Sequence, residues 1–196
     1  MFEARNVLNQ IHAINPTKSV IRQIYLQLLQ DQPRVPWKCF MYRNDARPKS
    51  RFTTWLQLQG RLLTTDRLLK WGIDVNSKCC LCQLYDESRE HLFVQCQLSR
   101  NMWDRALNWM QSQPYNASTW EQHLNWAISR AKGKSQTAQI FKMLYTEITH
   151  ALCIERNLRI FEKKSRPWET IMKEIIYVIC VRAPPRIQNI VHSLIF

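Results

Sequence analysis

The chain has 196 residues, of which 45% are hydrophobic and 22% charged, and its formal net charge is +13 at pH 7. This composition excludes a disordered chain, and the length allows one folded domain, or one domain with a helical appendage. Only three glycines are present, which argues against glycine-rich phosphate loops and against all-β folds built on tight hairpins. The basic excess favours a polyanionic partner such as nucleic acid, although a basic surface can also serve solubility alone.

The N-terminal segment predicts no export. Its first ten residues, MFEARNVLNQ, lack the basic and then apolar order of a signal peptide. The longest apolar run, IIYVICV at residues 175–181, is too short to span a bilayer. We therefore expect an intracellular protein of the nucleus or cytoplasm, without membrane contact, whose thiols stay reduced. Seven cysteines, an odd number, also fit poorly with a complete disulfide framework.

Hydrophobic periodicity predicts a helix in the first part of the chain, up to about residue 31. Its apolar positions are Ile21, Ile24, Tyr25, Leu28 and Leu29. Thr17 or Ser19 is placed to cap this helix, directly after Asn15-Pro16. The two prolines of QPRVPW, residues 32–37, then interrupt the pattern.

Two short helices follow a basic, loop-like segment at residues 43–51. One face of the first helix carries Phe52, Trp55, Leu56 and Gln59. We interpret Trp55 as a core residue, because it lies on this apolar stripe. Gly60 and Gly72 occupy the positions of helix C-cap glycines, and Thr64 or Thr65 caps the second helix. The pair resembles a helix-turn-helix, but any compact helical pair has the same pattern.

Four further helical regions are predicted after residue 98. Ser99 is placed to cap a helix, a shorter one runs from Trp120 to Arg130, and KGKS at 132–135 is a candidate linker. A long helix follows, whose apolar face consists of Ile140, Phe141, Leu144, Ile148, Leu152 and Phe161. KKSRPW interrupts it, and a last helix starts near Trp168 and stops at APP, residues 183–185. IVHSLIF, residues 190–196, is the only plausible strand.

Residues 78–96, KCCLCQLYDESREHLFVQC, contain four cysteines and one histidine, residue types that bind zinc. The expected fold is therefore mainly α: a small zinc-stabilised helical domain with a C-terminal helical extension. The predicted segments are an N-terminal helical segment at 1–33, a zinc-binding domain at 34–113, a linker with a short helix at 114–135 and a C-terminal helical region at 136–196.

The zinc prediction depends on KCCLCQLYDESREHLFVQC, residues 78–96. Cys79, Cys82, His91 and Cys96 form the pattern C-x2-C-x8-H-x4-C, and two intervening residues allow both first thiolates to face one ion from a tight loop. Three sulfurs and one imidazole complete a tetrahedral Zn²⁺ shell without an open position, so one such ion is structural. A disulfide and a Cys79–His91 nucleophile pair are weaker alternatives, because no oxidising compartment, orienting group or oxyanion hole is evident.

The spacing of the last two ligands also constrains the local structure. On an ideal α-helix, His91 and Cys96 differ by about 140° in direction, so they cannot both face one ion. We therefore predict a short helix from about Ser88 that ends before Cys96, with Ser99 opening the next helix. Cys80 is interpreted as a bystander thiol. The cysteines at 39, 153 and 180 are interpreted as core residues, and the four other histidines lack partners at ligand spacing.

Residues 34–110 resemble the zinc-binding domain of plant reverse-transcriptase-like proteins (zf-RVT), which follows the polymerase in non-LTR (LINE-type) retrotransposon polyproteins. The similar pieces are RPKSRF, WLQLQGRLLTTDRLLKWGI, C-x-L-C, ES-x-x-HLF and the closing cysteine with Trp103 downstream. IERNLRIF, residues 154–161, resembles the helical tail that often follows this domain. The resemblance supports Cys79, Cys82, His91 and Cys96 as ligands and implies a role near nucleic acid or within a retroelement polyprotein. Cys80 stands where a neutral residue is usual.

We expect no enzymatic activity from this chain. A polymerase palm holds its metal ions with carboxylates that include adjacent aspartates, and no two of the six aspartates here are neighbours. A ribonuclease H site needs inward carboxylates on a sheet, and no such sheet is visible. The chain therefore fits a retroelement-derived module without catalytic domains.

Nucleic-acid binding is the first functional hypothesis, because ten basic residues outnumber three acidic ones between residues 34 and 78. The candidate contacts to RNA or single-stranded DNA are Arg43, Arg47, Lys49, Arg51, Arg61, Arg67 and Lys70. Tryptophans interleave with this basic segment, and an aromatic ring can stack on an unpaired base. The second hypothesis is a protein-interaction module, or an inert retroelement remnant, in which zinc only closes the fold.

Overall fold

The structure is a computed structural model, and it describes residues 19–29 and 35–194. The chain divides between Val35 and Pro36 into two units. The described part of the first unit contains helix α1, Val20–Leu29, whose first turn begins with a hydrogen bond from the Gln23 amide to the Ser19 carbonyl. This confirms the predicted first helix. Thr17 and the side chains of Leu28 and Leu29 lie outside the described part.

The second unit consists of helices and the segments that join them. Its elements are a 3₁₀ turn Pro36–Phe40, α2 Pro48–Leu58, α3 Thr65–Lys70, a first π segment His91–Gln95, α4 Gln97–Trp109, α5 Trp120–Ala131, α6 Gln136–Asn157, a second π segment Leu158–Glu162, α7 Trp168–Arg182 and α8 Pro185–Ser193. Among the described residues, extended pairing is limited to one antiparallel bridge between Lys78 and Asp86. The predicted mainly α class is confirmed.

Helix α6 is the central helix of this unit. Each residue from 140 to 149 is buried, and α2, α5, α7 and α8 all pack against α6. Side chains of α4 and α5 form an aromatic cluster with α6, in which Trp103, His123 and Tyr145 lie with ring centroids 5.3–5.6 Å apart. The C-terminal helices therefore form the core on which the segment of residues 78–96 is built.

The ends of α6 follow the local sequence. Ser135 caps its start, since the Ser135 hydroxyl accepts a hydrogen bond from the Ala138 amide at 3.2 Å. Its predicted apolar face is confirmed from Ile140 to Leu152, which are buried. The assignment of Phe161 to that face is wrong, because its side chain is 78% exposed. The second π segment adds a residue to the turn before Phe161 and so rotates it off the buried face.

Helix α2 packs on α6 with its polar side. Ser50, Thr54 and Gln57 are buried, whereas Phe52 is 60% exposed and Trp55 is only partly buried. The interpretation of Trp55 as a core residue is therefore wrong. Buried polar groups of α6 explain this orientation, because they need hydrogen-bond partners away from water. The Tyr145 hydroxyl donates to the Gln57 side chain at 3.3 Å, for example.

Gly60 and Gly72 end α2 and α3 as predicted. Their φ angles of +65° and +75° are left-handed, a conformation that glycine adopts without steric cost. Thr64 precedes α3, and Thr65 is the first residue of that helix. The backbone amide of Thr65 donates a hydrogen bond to the Glu87 carboxylate at 3.0 Å. The α2–α3 pair is thereby connected to the segment that carries the candidate ligands.

The predicted C-terminal strand is wrong, because residues 190–193 belong to α8. Pro185 lies at the first position of this helix, where its fixed φ suits the helix and its missing N–H is not needed. Ile187 and Val191, one turn apart, are both buried. This spacing of four residues indicates a helix and not an alternating strand.

None of the helices in the described residues combines the length and the apolar character needed to cross a membrane. The proposed division of the chain into segments at 33, 113 and 135 stays a prediction.

Candidate metal centre

The first two candidate ligands lie in a tight loop, residues 78–86, which we call the ligand loop. The Lys78–Asp86 bridge closes it, and the ammonium of Lys78 lies 3.1 Å from the Asp86 carboxylate. Inside the loop, the Cys79 amide donates to the Tyr85 carbonyl and the Gln83 amide donates to the Cys79 carbonyl, both at 2.8 Å. Gln83 completes the turn with a left-handed φ of 61°. The thiols of Cys79 and Cys82 thus come from one turn, as their spacing predicts.

The third ligand lies on a short helix that begins at Arg89. The Ser88 hydroxyl accepts a hydrogen bond from the His91 amide at 3.0 Å and so caps this helix. The turn then widens into the first π segment, where the Cys96 amide donates to the His91 carbonyl at 2.7 Å. A π turn closes over five residues instead of four, which brings His91 and Cys96 toward the same side.

Cys96 itself is extended, with φ −60° and ψ 132°, and forms the N-cap of α4. The predicted short helix that ends before Cys96 is confirmed. The prediction that Ser99 opens the next helix is wrong, because α4 begins two residues earlier, at Gln97. The Ser99 hydroxyl donates instead to the Leu92 carbonyl, and it is buried between the two helices.

The structure brings the four candidate ligands together. Their donor atoms all lie within 4.8 Å of one another. The Cys79 and Cys96 sulfurs are 4.0 Å apart, and the Cys82 sulfur is 3.2 Å from Nε2 of His91. A tetrahedral Zn²⁺ with Zn–S bonds of about 2.3 Å and a Zn–N bond of about 2.0 Å requires donors about 3.5–4 Å apart. The donor set and its spacing therefore fit zinc.

Protonation of the site follows from burial and from the contact between two thiols. The hydrogen bond to Cys96, together with burial, raises the pKa of the Cys79 thiol, and the same hydrogen bond lowers the pKa of Cys96. Burial lowers the pKa of His91, which keeps its imidazole neutral and able to donate a lone pair. A metal ion would replace the shared proton of the two thiols, so its binding releases protons.

The other cysteines are separate from this cluster. Cys80 points its sulfur toward the Arg156 carbonyl, 3.7 Å away. Cys39, Cys153 and Cys180 pack against the hydrophobic core. All seven cysteines are free thiols, so the disulfide alternative has no pair in this structure.

Residues outside the ligand set hold the ligand loop in place, and the sequence reasoning did not assign them a role. Glu87 follows the loop and is buried, and it accepts hydrogen bonds from Thr65 and Arg156 at 2.7–3.0 Å. Arg159 donates to the Leu81 carbonyl inside the loop at 2.8 Å. These arginines belong to IERNLRIF, whose charged residues inside an otherwise apolar helix were a signal for buried ion pairs.

The seven predicted nucleic-acid contacts lie in different environments. Arg43, Lys49, Arg61 and Lys70 are exposed. Arg47 forms an ion pair with buried Glu147, at 2.6 Å. Their role in nucleic-acid binding stays a prediction.

The two remaining arginines of that set lie partly buried on α2 and α3. The Nε of Arg51 is buried and has no hydrogen-bond partner in the described part of the chain. Arg67 donates hydrogen bonds to the carbonyls of Gly60 and Leu62. Arg67 therefore helps to shape the α2–α3 turn.

Residues 20–103 match the family model described as zinc-binding in reverse transcriptase. This segment, somewhat less than half of the chain, is similar to the zinc-binding domain of reverse transcriptases. All four candidate ligands lie within the match, as do α2, α3 and the first π segment. The chain has no significant match among curated proteins or among solved structures.

Proposed function

We propose that Cys79, Cys82, His91 and Cys96 hold one structural zinc ion. The convergence of their donor atoms within 4.8 Å supports this proposal, together with the zinc-binding family of the segment. Three thiolates and one imidazole fill the tetrahedral shell, so no position stays open for water or substrate. When bound, the ion supplies a cross-link between the ligand loop and the start of α4.

Metal content tests the zinc proposal. Protein purified under reducing conditions is expected to contain one zinc per chain, and Cys82→Ser is expected to lose it. Cys80→Ser is the matched control, because Cys80 neighbours the cluster without belonging to it. Metal-free wild-type protein, or equal loss of zinc in both variants, would contradict the proposal.

We further propose that the module binds RNA or single-stranded DNA, without catalysing a reaction. The net charge of +13 supports this, as does the outward face of α2. There, exposed Phe52 stacks on Trp55 at a centroid distance of 5.9 Å, and the Arg61 guanidinium lies 5.7 Å from the Trp55 ring. Aromatic rings beside cationic groups are the combination that holds unpaired bases and phosphates. The resemblance to retrotransposon polyproteins is consistent with such a role.

Salt dependence tests the binding proposal. Affinity for a fluorescent single-stranded oligonucleotide is expected to fall steeply between about 50 and 200 mM salt, because phosphate contacts release counterions. Zinc removal by a chelator is expected to abolish both the fold of the ligand loop and binding. A protein that loses its fold without zinc, yet binds no nucleic acid in either state, would instead support the alternative of an interaction module or an inert remnant.

A further inference from the structure

A cleft of about 550 Å³ lies between α3, the helix start at Ser88–Glu90 and the first residue of α5. We call it the Arg89 cleft. Six side chains of its lining matter for recognition: Asp66, Arg67, Lys70, Trp71, Arg89 and Trp120. Its volume falls within the range of about 300–1,000 Å³ that is typical of sites for small molecules. The cleft lies outside the metal cluster, and neither Arg89 nor Trp120 belongs to the predicted nucleic-acid contacts.

The guanidinium of Arg89 has no hydrogen-bond or ion-pair partner within the described part of the chain. It lies over the Trp120 ring, with its Cζ 4.3 Å from the ring centroid. No hydrogen bond or ion pair joins it to the carboxylates of Asp66 and Glu90, which also line the cleft. A guanidinium presents five N–H donors, and the nitrogens of Arg89 remain accessible from the cleft. This arrangement points to an anionic group that is bound from solution.

Trp120 positions Arg89 instead of binding the ligand itself. One side of its ring faces Arg89, and the ring also packs near His123, with centroids 5.5 Å apart. Its backbone amide donates to the Glu90 carboxylate at 2.8 Å, which ties the start of α5 to the residue next to Arg89. The Arg89 guanidinium is therefore supported from one side by the Trp120 ring at the wall of the cleft.

Trp71 supplies an exposed aromatic surface in the same cleft. It follows α3 and is 56% exposed, and it is absent from the hydrophobic core. Arg67 covers one part of the ring, with its Cζ 5.1 Å from the centroid. Arg67 is fixed in turn by the Gly60 and Leu62 carbonyls. A ring that is held in place but left exposed is suited to stacking with a planar ligand.

The polar groups of the cleft match a nucleotide better than a simple anion. Lys70 is exposed beside Trp71 and adds positive charge for a phosphate. Asp66 has a buried carboxylate oxygen without a hydrogen-bond partner in the described residues. A free acceptor repels an isolated anion but suits an N–H donor, and the edge of a nucleobase carries such donors.

We propose that the Arg89 cleft binds one unpaired nucleotide of a single strand, with its base stacked on Trp71 and its phosphate bound by Arg89 and Lys70. This inference rests on the proposed nucleic-acid function and specifies single strands over duplexes. A base inside a duplex is stacked on its neighbours and is not available to Trp71.

Binding of a fluorescent 10-nucleotide single-stranded RNA to zinc-loaded protein tests the inference, with a duplex of the same sequence as comparison. Trp71→Ala is expected to weaken single-strand binding roughly 5- to 150-fold, the measured range for loss of one stacked base, and to leave duplex binding within about twofold. Arg89→Lys keeps the charge but loses the planar donor fork, and it is also expected to weaken single-strand binding. The logarithm of the binding constant falls linearly with the logarithm of the salt concentration. Arg89→Gln is expected to make this slope shallower by about 0.7, because one phosphate contact is lost.

Two variants outside the cleft serve as controls. Tyr177→Ala removes an exposed ring on α7, and Arg105→Gln removes an exposed charge on α4. Both are expected to bind the single strand within about threefold of wild type. Zinc content and helical circular dichroism confirm that each variant is folded.

The outcomes separate this inference from the function on which it rests. Wild-type binding that survives Trp71→Ala and Arg89→Lys unchanged would overturn the cleft while leaving nucleic-acid binding intact. Equal loss of duplex and single-strand affinity in Trp71→Ala would overturn the preference for an unpaired base. Failure of the wild-type protein to bind either oligonucleotide would overturn both proposals.

Discussion

The Arg156 guanidinium donates three hydrogen bonds of 2.7–2.9 Å to the carboxylate of Glu87, a residue 69 positions earlier in the chain. Both side chains are shielded, with 12% and 0% exposure respectively. Glu87 follows the ligand loop directly, and Arg156 lies near the end of α6. This ion pair makes the position of the ligand loop depend on the C-terminal half of the chain.

Arg156→Met is expected to destabilise the zinc-loaded protein by about 3–5 kcal/mol, because it leaves the Glu87 charge buried without its main partner. Urea unfolding at fixed zinc concentration measures this change. Arg105→Met, which removes an exposed arginine from α4, is the control and is expected to change stability by about 0.5 kcal/mol or less. Adding Glu87→Gln to Arg156→Met should recover part of the loss. A cost below about 1 kcal/mol for Arg156→Met would contradict the assigned role.

Arg47→Gln is expected to lower stability by about 2 kcal/mol, although Arg47 was predicted from the sequence as a phosphate contact. Its guanidinium and backbone amide together hold the buried Glu147 carboxylate at 2.6–2.9 Å. The estimate lies below the cost for a fully buried pair, because the Arg47 side chain is 42% exposed.

The exposed neighbour Lys49 provides the comparison for Arg47. Thermal unfolding of Lys49→Gln should match wild type, since its side chain is exposed. Equal stability of Arg47→Gln and Lys49→Gln would show that the Glu147 contact contributes little.

Two tryptophans are expected to differ strongly in their contribution to stability. Trp103 is fully buried and donates from its indole N–H to the Phe93 carbonyl at 3.0 Å, so Trp103→Phe should cost about 2 kcal/mol. Trp55→Ala removes the whole indole ring, which is a larger change than Trp103→Phe. It should still cost about 1 kcal/mol or less, because the Trp55 ring lies outside the core. Chemical denaturation of both variants checks the order. A larger loss in Trp55→Ala would restore the interpretation of Trp55 as a core residue.

His123 is expected to make the fold sensitive to acid. Burial lowers its pKa to about 3, while the unfolded chain has a histidine pKa of about 6.5. Between these values the unfolded state takes up a proton that the native state does not. Stability should therefore fall as the pH drops below about 6.5, by about 1.4 kcal/mol per pH unit, or about 2 kcal/mol by pH 5.

The variant His123→Gln isolates this effect. Acid also protonates the zinc ligands, but that contribution is common to both proteins and cancels in the difference. The measurement is the free energy of unfolding from pH 7.5 to 5 with excess zinc. The glutamine variant is expected to be less stable at pH 7.5, because the Tyr115 and Tyr145 hydroxyls lose the imidazole, and to show a shallower decline. Parallel pH profiles would argue against His123 as the source.

The sequence by itself determined the set of candidate metal ligands and most helix positions. Ligand identity and spacing within residues 79–96 are local properties, so Cys79, Cys82, His91 and Cys96 could be named without a fold. Helix ends were also local, because Gly60, Gly72 and the prolines restrict the backbone wherever the rest of the chain lies. The sequence also showed that His91 and Cys96 would point about 140° apart on an ideal α-helix. It did not predict the π turn that brings them to the same side.

Only the tertiary structure decided which sides of these helices are buried and which charges are paired. The aromatic stripe of α2 indicated a buried face, but the polar groups of α6, about 100 positions away, required the opposite face. The Glu87–Arg156 pair and the contact of Arg89 with Trp120 likewise join elements that are distant in the sequence. A buried polar group needs a partner in space, and sequence periodicity contains no information about where that partner will lie.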